Sequence, residues 1–286
     1  MADVMTIVTD RIIAALEKGC VPWRKPWHAS GRGAYNRITG KQYSLLNQMM
    51  LAHEGEYASF KQWTALGGKV KKGSKSEIVV FWKWPEDIQK EEDPDDSDIQ
   101  ENKKKKGPVL RYYPVFHISQ VEDVEPLKRT ETTYFKHDPI EEAEIVLTHY
   151  VSRESIKYDA GEYAEAYYSP KWDLIHVPCL RLYENPEEYY GTAFHEAIHS
   201  TGAEHRLKRD GIKRIRFGSE SYGREELVAE IGSAYIMSIL GMETDNSFNN
   251  SASYIQNWLS ALKNDRRMIV VAAGQAQKAA NFIFGN

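Results

Sequence analysis

Apolar residues recur at helical spacing over residues 3 to 18, where Ile7, Ile12, Ala15 and Leu16 are expected to face inward and Gly19 to end the helix. The pattern then changes. Glu77 to Trp84 reads as a strand, and Gly107 to Glu122 reads as a second strand that pairs with it. The stretch between them becomes a hairpin insertion. Further on, 140 to 153 is helical, and Ile156 to Pro178 gives short strands around turns at Asp159-Ala160-Gly161 and Ser169-Pro170-Lys171. Two closing helices are expected over 249 to 264 and 266 to 283. Strands followed by helices make an α+β chain. A length of 286 residues accommodates two domains, read here as 1–128 and 138–286, with the boundary near 125 to 140.

Two more helices carry the candidate chemistry. Asn185-Pro186-Glu187-Glu188 has the form of a helix start, with Asn185 as cap and Pro186 in the first turn, and Gly202 closes the segment. Inside it lie His195, Glu196 and His199, the H-E-x-x-H pattern. Positions i and i+4 put both imidazoles on one helix face, about 6 Å apart along the axis, where they can share a tetrahedral Zn²⁺. Glu196 points elsewhere but can take a proton from a water that zinc acidifies. A third ligand is needed. The second helix, Arg224 to Tyr235, offers Glu225, Glu226 and Glu230. Glu226 is the favoured ligand, with Glu230 one turn on to hold a ligand imidazole from behind. The small residues of this helix suit close packing. His205, on a turn, is a weaker candidate.

Charge divides the chain. Residues 1 to 85 carry 13 Lys and Arg against 6 Asp and Glu, a net +7, while the whole chain is −4. Residues 86 to 106 hold little to bury and read as a disordered acidic loop ending in four lysines. Five of the seven tryptophans fall within 1 to 85. Aromatic faces interleaved with cations suit single-stranded nucleic acid, although the same rings can fill a core. Cys20 and Cys179 form no staple or zinc spacing. No run of 18 apolar residues suggests a membrane span, and the first residues lack a secretory signal, so the cytoplasm is the expected compartment.

Several separated segments together resemble the ArdC family of antirestriction proteins. They are Val8 to Gly19, Pro22-Trp23-Arg24-Lys25-Pro26-Trp27, Asn36 to Tyr43, Asn47, and Leu66 to Gly73 in the first half. In the second they are His195 to Gly202, Arg206-Leu207 and Glu225 to Glu230. The resemblance implies an N-terminal single-stranded-DNA-binding domain and a C-terminal zincin-like metallopeptidase domain holding one Zn²⁺. This agrees with the reading of the residues, in which Glu226 is the favoured third ligand, Glu196 the catalytic carboxylate and Glu230 the carboxylate that holds a ligand imidazole from behind. DNA contacts are expected at Trp23, Arg24, Lys25, Trp27, Asn36, Arg37, Thr39, Lys41, Tyr43, Asn47, Lys69, Lys71 and Lys72. The chain departs from the family pattern in its long acidic insertion and in Ala34-Tyr35, which stands where a proline is expected.

The functional expectation is protection of incoming plasmid DNA from host restriction by a DNA-tethered zinc peptidase that cuts a nearby protein. Tyr222 or His205 is a candidate to stabilise the oxyanion. Two other readings use the same parts: a protein that only coats single strands around a structural or vestigial zinc, and a protease acting on DNA–protein crosslinks.

Overall fold

A computed structural model of the chain describes residues 3–17, 33–83, 109–127, 139–162, 165–183, 185–209, 220–242 and 251–286. The expectations for Gly19, for Trp23, Arg24, Lys25 and Trp27, for the 86–106 segment and for the Tyr222 side chain lie outside the described residues.

Helix α1 (Val4–Glu17) buries Met5, Val8, Thr9, Ile12, Ile13 and Leu16. Its inward stripe is rotated from the expected one, so Ile7 and Ala15 are only half-buried. The cause lies in what covers it. Helix α1 packs against helices α7 (Ser251–Asn264) and α8 (Met268–Phe284) from the far end of the chain. There the Thr9 hydroxyl donates to the Arg266 carbonyl at 2.5 Å, which allows a polar residue on the buried side.

A four-stranded sheet follows, in the order β1 (Ala34–Asn36), β2 (Gly55–Ala58), β5 (Val109–His117), β4 (Glu77–Lys83). The expected hairpin pairing is present: β4 and β5 run antiparallel from Glu77 opposite Val115 to Lys83 opposite Val109. Its second strand is shorter than expected. At His117 the chain enters a tight turn, where the side chain of Gln120 accepts from the His117 amide at 3.0 Å. The remainder, β6 (Val121–Glu122), pairs instead with β3 (Lys69–Val70), beside the short helix α3 (Phe60–Ala65).

Helix α2 (Leu45–Met50) is wholly buried and had no clear periodic signal. Two of its amides complete the backbone pairing of the sheet's outer strands. Asn47 donates to the Val80 carbonyl at 2.9 Å and accepts from the Val80 amide at 2.8 Å. Gln48 does the same for Ala34, at 2.8 and 2.9 Å. Side-chain amides here take the place of absent neighbouring strands.

Helix α4 (Pro139–Arg153) leads into a three-stranded sheet ordered β7 (Lys157–Gly161), β9 (Leu174–Pro178), β8 (Tyr167–Ser169). The expected turn at Asp159-Ala160-Gly161 is strand. Asp159 lies opposite His176 in parallel register, and its carboxylate meets the His176 ring at 3.1 Å. Helices α5 (Pro186–Thr201) and α6 (Glu220–Ile239) follow, then α7 and α8. One hydrophobic core runs through both halves, taking in Ile12, Leu45, Val80 and Leu110 together with Ile198, Leu227 and Ile269. Among the described residues, no helix is long and apolar enough to cross a membrane.

Candidate metal centre

Helix α5 starts as its sequence suggests. Asn185 caps it by accepting from the Glu188 amide at 2.9 Å, and Pro186 holds the first position. Its other end is also where the sequence puts it, since Thr201 is the last helical residue and Gly202 caps it. Gly202 has φ −77°, in the right-handed region, and the chain continues as a turn through Leu207. Helix α6 lies directly against α5. A methyl group on Gly232 would meet Ile198 Cδ1 at 2.7 Å, so any side chain there forces Ile198 or the helices to shift.

This close approach brings three side chains to one focus. The Nε2 atoms of His195 and His199 are 3.1 Å apart. Glu226 faces both, with Oε2 3.5 Å from His195 Nε2 and Oε1 3.4 Å from His199 Nε2. Among the described residues these three form the group able to hold a metal ion, each offering a ligand atom within 4.8 Å of the others. Two imidazoles and a carboxylate are a donor set that suits a divalent transition metal, and three ligands leave coordination open for water or substrate.

Each imidazole is also met from behind. Glu230 approaches His195 Nδ1 at 3.8 Å, and Glu225 approaches His199 Nδ1 at 3.4 Å. Glu225 is fixed in turn by Arg209, whose Nη2 donates at 2.6 Å. Arg209 also reaches the Thr201 hydroxyl at 2.6 Å and the Ile198 carbonyl at 2.7 Å, so it ties the outer carboxylate to the end of α5. The sequence reading considered Glu225 only as a rival ligand, and it missed Arg209. The spacing holds half of the signal. Adjacent residues on a helix point about 100° apart, so Glu225 and Glu226 cannot serve the same nitrogen.

The electrostatics follow from this crowding. Burial lowers the affinity of His199 for a proton, but Glu225 and Glu226 outweigh it and raise its pKa to about 10. His195 is raised for the same balance of reasons, with Glu226 as its main acidic partner. Burial opposes ionisation of Glu226, yet hydrogen bonds from both imidazoles hold its carboxyl well below the usual range. A site that gathers so much negative charge around two imidazoles favours a cation. Glu196 is buried one residue from His195. Tyr183 sits within its field: burial raises the phenol, and the Glu196 charge adds to the rise. His205 lies 3.4 Å from Asp173, and it is no part of the ligand group.

The residues named for DNA contact divide into groups. Thr39, Lys41 and Lys72 are exposed. Lys69 is paired with Asp123 at 3.0 Å, and Lys71 donates to the Ser119 carbonyl at 2.9 Å. Arg37 forms an ion pair with the buried Glu56. Asn36 accepts from the amides of Ile38 and Thr39, both at 3.0 Å, shaping the turn after β1. Tyr43 and Asn47 are buried, which corrects the expectation that they face DNA. Asn47 is committed to Val80, and Tyr43 lies beneath other rings of the sheet.

Similarity to known proteins agrees with both halves of this arrangement. Residues 2–116 match the N-terminal domain of anti-restriction factor ArdC, and residues 146–275 match the zincin-like metallopeptidase family. Two Escherichia coli proteins named DNA primase TraC are 33% and 32% identical over 96% and 97% of this chain. The chain spans only 26% and 19% of their lengths. An uncharacterized protein of Sinorhizobium fredii, y4eC, is 33% identical over 98% of this chain and 91% of its own. The fold is similar to the crystal structure of the antirestriction ArdC protein from R388 plasmid in its Mn(II)-bound form. That likeness has a TM-score of 0.75 and 32% identity, over 99% of this chain and 98% of that one. For the metal-free form the TM-score is 0.72, with 32% identity over 99% and 97%. With a shared identity of this size running nearly end to end over a plasmid antirestriction protein, and with both domain matches in the same order, the chain belongs to the ArdC antirestriction family.

Proposed function

We propose that this chain binds single-stranded DNA through its N-terminal half and cleaves a peptide bond of a nearby protein at the metal centre, in the cytoplasm, so that incoming DNA escapes restriction. The observation that carries the hydrolytic part is the common focus of His195, His199 and Glu226 beside the buried Glu196. The ion we assign is a single Zn²⁺, held by those three side chains. The Mn(II)-bound form of the R388 relative supports a divalent ion in this chain. When bound, such an ion supplies Lewis-acid polarisation of a carbonyl and acidifies water beside it.

The chain's own residues do the rest. Glu196 takes a proton from the attacking water and passes it to the leaving amine. Glu225 and Glu230 orient the two imidazoles, and Arg209 steadies Glu225. An outer strand of the three-stranded sheet receives an extended peptide by strand addition. The excess of Lys and Arg in residues 1 to 85 supports the DNA half, as do the relatives named as DNA primases. Holding DNA and peptidase on one core raises the local concentration of proteins bound to the same strand.

The test is plasmid transfer into a restricting host with Glu196→Ala, after confirming that the variant still folds and loads metal. Lost protection supports hydrolysis. Unchanged protection overturns it and favours a protein that coats DNA.

A further inference from the structure

The β4–β5 hairpin carries a feature that neither the metal centre nor the expected DNA residues explain. Its register puts Val79, Phe81 and Lys83 on one face with Arg111, Tyr113 and Val115. Val79 and Val115 are buried, but towards the other end Phe81 is 42% exposed and Tyr113, Arg111 and Lys83 are half-exposed. Phe81 and Tyr113 are diagonal neighbours with ring centroids 6.0 Å apart. Tyr43 lies against Phe81 at 6.2 Å as a floor, its hydroxyl accepting from Asn36 at 3.4 Å. Lys83 stands 6.0 Å from the Tyr113 ring.

The opposite face also shows two rings, Trp82 and Tyr112, at 51% and 47% exposure. The difference is charge. The Lys and Arg of the two strands, Lys83 and Arg111, both fall on the Phe81–Tyr113 face, and neither strand contributes one to the other side. Within the two strands the acid on this face, Glu77, sits at the far end. It accepts there from the Tyr57 hydroxyl at 3.1 Å and the Ala52 amide at 2.6 Å.

Resting on the DNA reading above, we infer that this face is a stacking platform for unpaired bases: Phe81 and Tyr113 take two bases of a single strand, while Lys83 and Arg111 meet the flanking phosphates. Flat rings on adjacent strands of an open sheet offer π-faces that any base can use, and paired cations bind the backbone without reading sequence. Duplex DNA keeps its bases stacked on one another and gains only the phosphate contacts.

The experiment uses the full chain and a short fluorescein-labelled oligothymidylate, with affinity read by anisotropy across a salt series. Phe81→Leu and Tyr113→Leu keep apolar bulk but remove the rings, and each is expected to weaken binding about tenfold. Phe81→Tyr and Tyr113→Phe keep affinity. Lys83→Gln and Arg111→Gln each flatten the logarithmic salt slope by about one. Trp82→Leu and Tyr112→Leu, on the opposite face, leave affinity within about twofold, and a loss there equal to that of Phe81→Leu overturns the choice of face. Wild-type binding with intact affinity in Phe81→Leu and Tyr113→Leu overturns the platform and leaves the DNA reading standing. Failure of the wild-type chain to bind any oligothymidylate overturns the DNA reading itself.

Discussion

Arg209 and Glu225 form a buried bidentate pair, with Arg209 Nε 3.2 and 3.1 Å from the two carboxylate oxygens and Nη2 2.6 Å from one of them. Both side chains are 5% exposed. Since Glu225 also meets His199, the pair links the end of α5 to the metal centre. Arg209→Met leaves a buried carboxylate short of its partner and is expected to cost about 3–5 kcal/mol, read by urea or thermal unfolding. Arg209→Met with Glu225→Leu recovers most of that stability. It does not recover metal affinity, which is expected to stay about 10- to 100-fold weaker because His199 has lost its orienting acceptor. Equal recovery of both properties contradicts the role given to Glu225.

Gly232 of α6 packs tightly against Ile198 of α5. Gly232→Ala pushes a methyl group into Ile198, which is fully buried, at a cost of about 1–3 kcal/mol. Because the shift separates Glu226 from the two histidines, metal affinity is expected to fall as well. Ile198→Val removes the Cδ1 atom that the new methyl meets first, and it partly restores the Gly232→Ala protein. A melting temperature unchanged in Gly232→Ala contradicts the packing.

Asn47 serves the fold. Asn47→Ala leaves the amide and carbonyl of Val80 without their partners inside the protein, at about 1–3 kcal/mol for each group. Unfolding measurements should show this loss, while the folded variant binds oligothymidylate as the wild type does. A large fall in DNA affinity with full stability reverses the assignment.

Much of the arrangement of the candidate centre was legible because its information is local. The spacing of His195 and His199, the Asn185 cap and the Glu226–Glu230 repeat are all properties of single helices. Arg209 was not legible. It lies just past the turn that follows α5, and only the tertiary fold carries it to Glu225. The same limit explains Asn47 and Tyr43. Polar and aromatic residues in a basic half resemble DNA contacts until the sheet is assembled, and then one completes an outer strand and the other floors a ring cluster. Phe81 and Tyr113 were missed for the converse reason. Their shared face depends on the register of two strands separated by a long insertion. At Asp159 the local turn signal of Asp-Ala-Gly is overridden by parallel pairing with β9.

Asp173 gives the fold a measurable pH response. Burial raises its pKa, but hydrogen bonds from Arg206 and Tyr168 outweigh that and hold it below the usual carboxylate range. A group depressed in the folded state stabilises the fold above its unfolded pKa, and the gain is lost as pH falls through the folded value. Asp173→Asn should therefore be less stable than wild type at neutral pH. The gap in unfolding free energy should close below about pH 4. A gap that persists unchanged into acid shows that the Arg206–Asp173 pair contributes nothing through charge.

The proposed hydrolysis requires a divalent ion shared by His195, His199 and Glu226. Anomalous diffraction at the zinc edge, from crystals of the zinc-loaded full chain, locates that ion directly. One peak per chain between the two Nε2 atoms and the Glu226 carboxylate is the predicted result. Those three side chains ordered at saturating zinc with no peak between them, or a peak elsewhere in the chain, would contradict it.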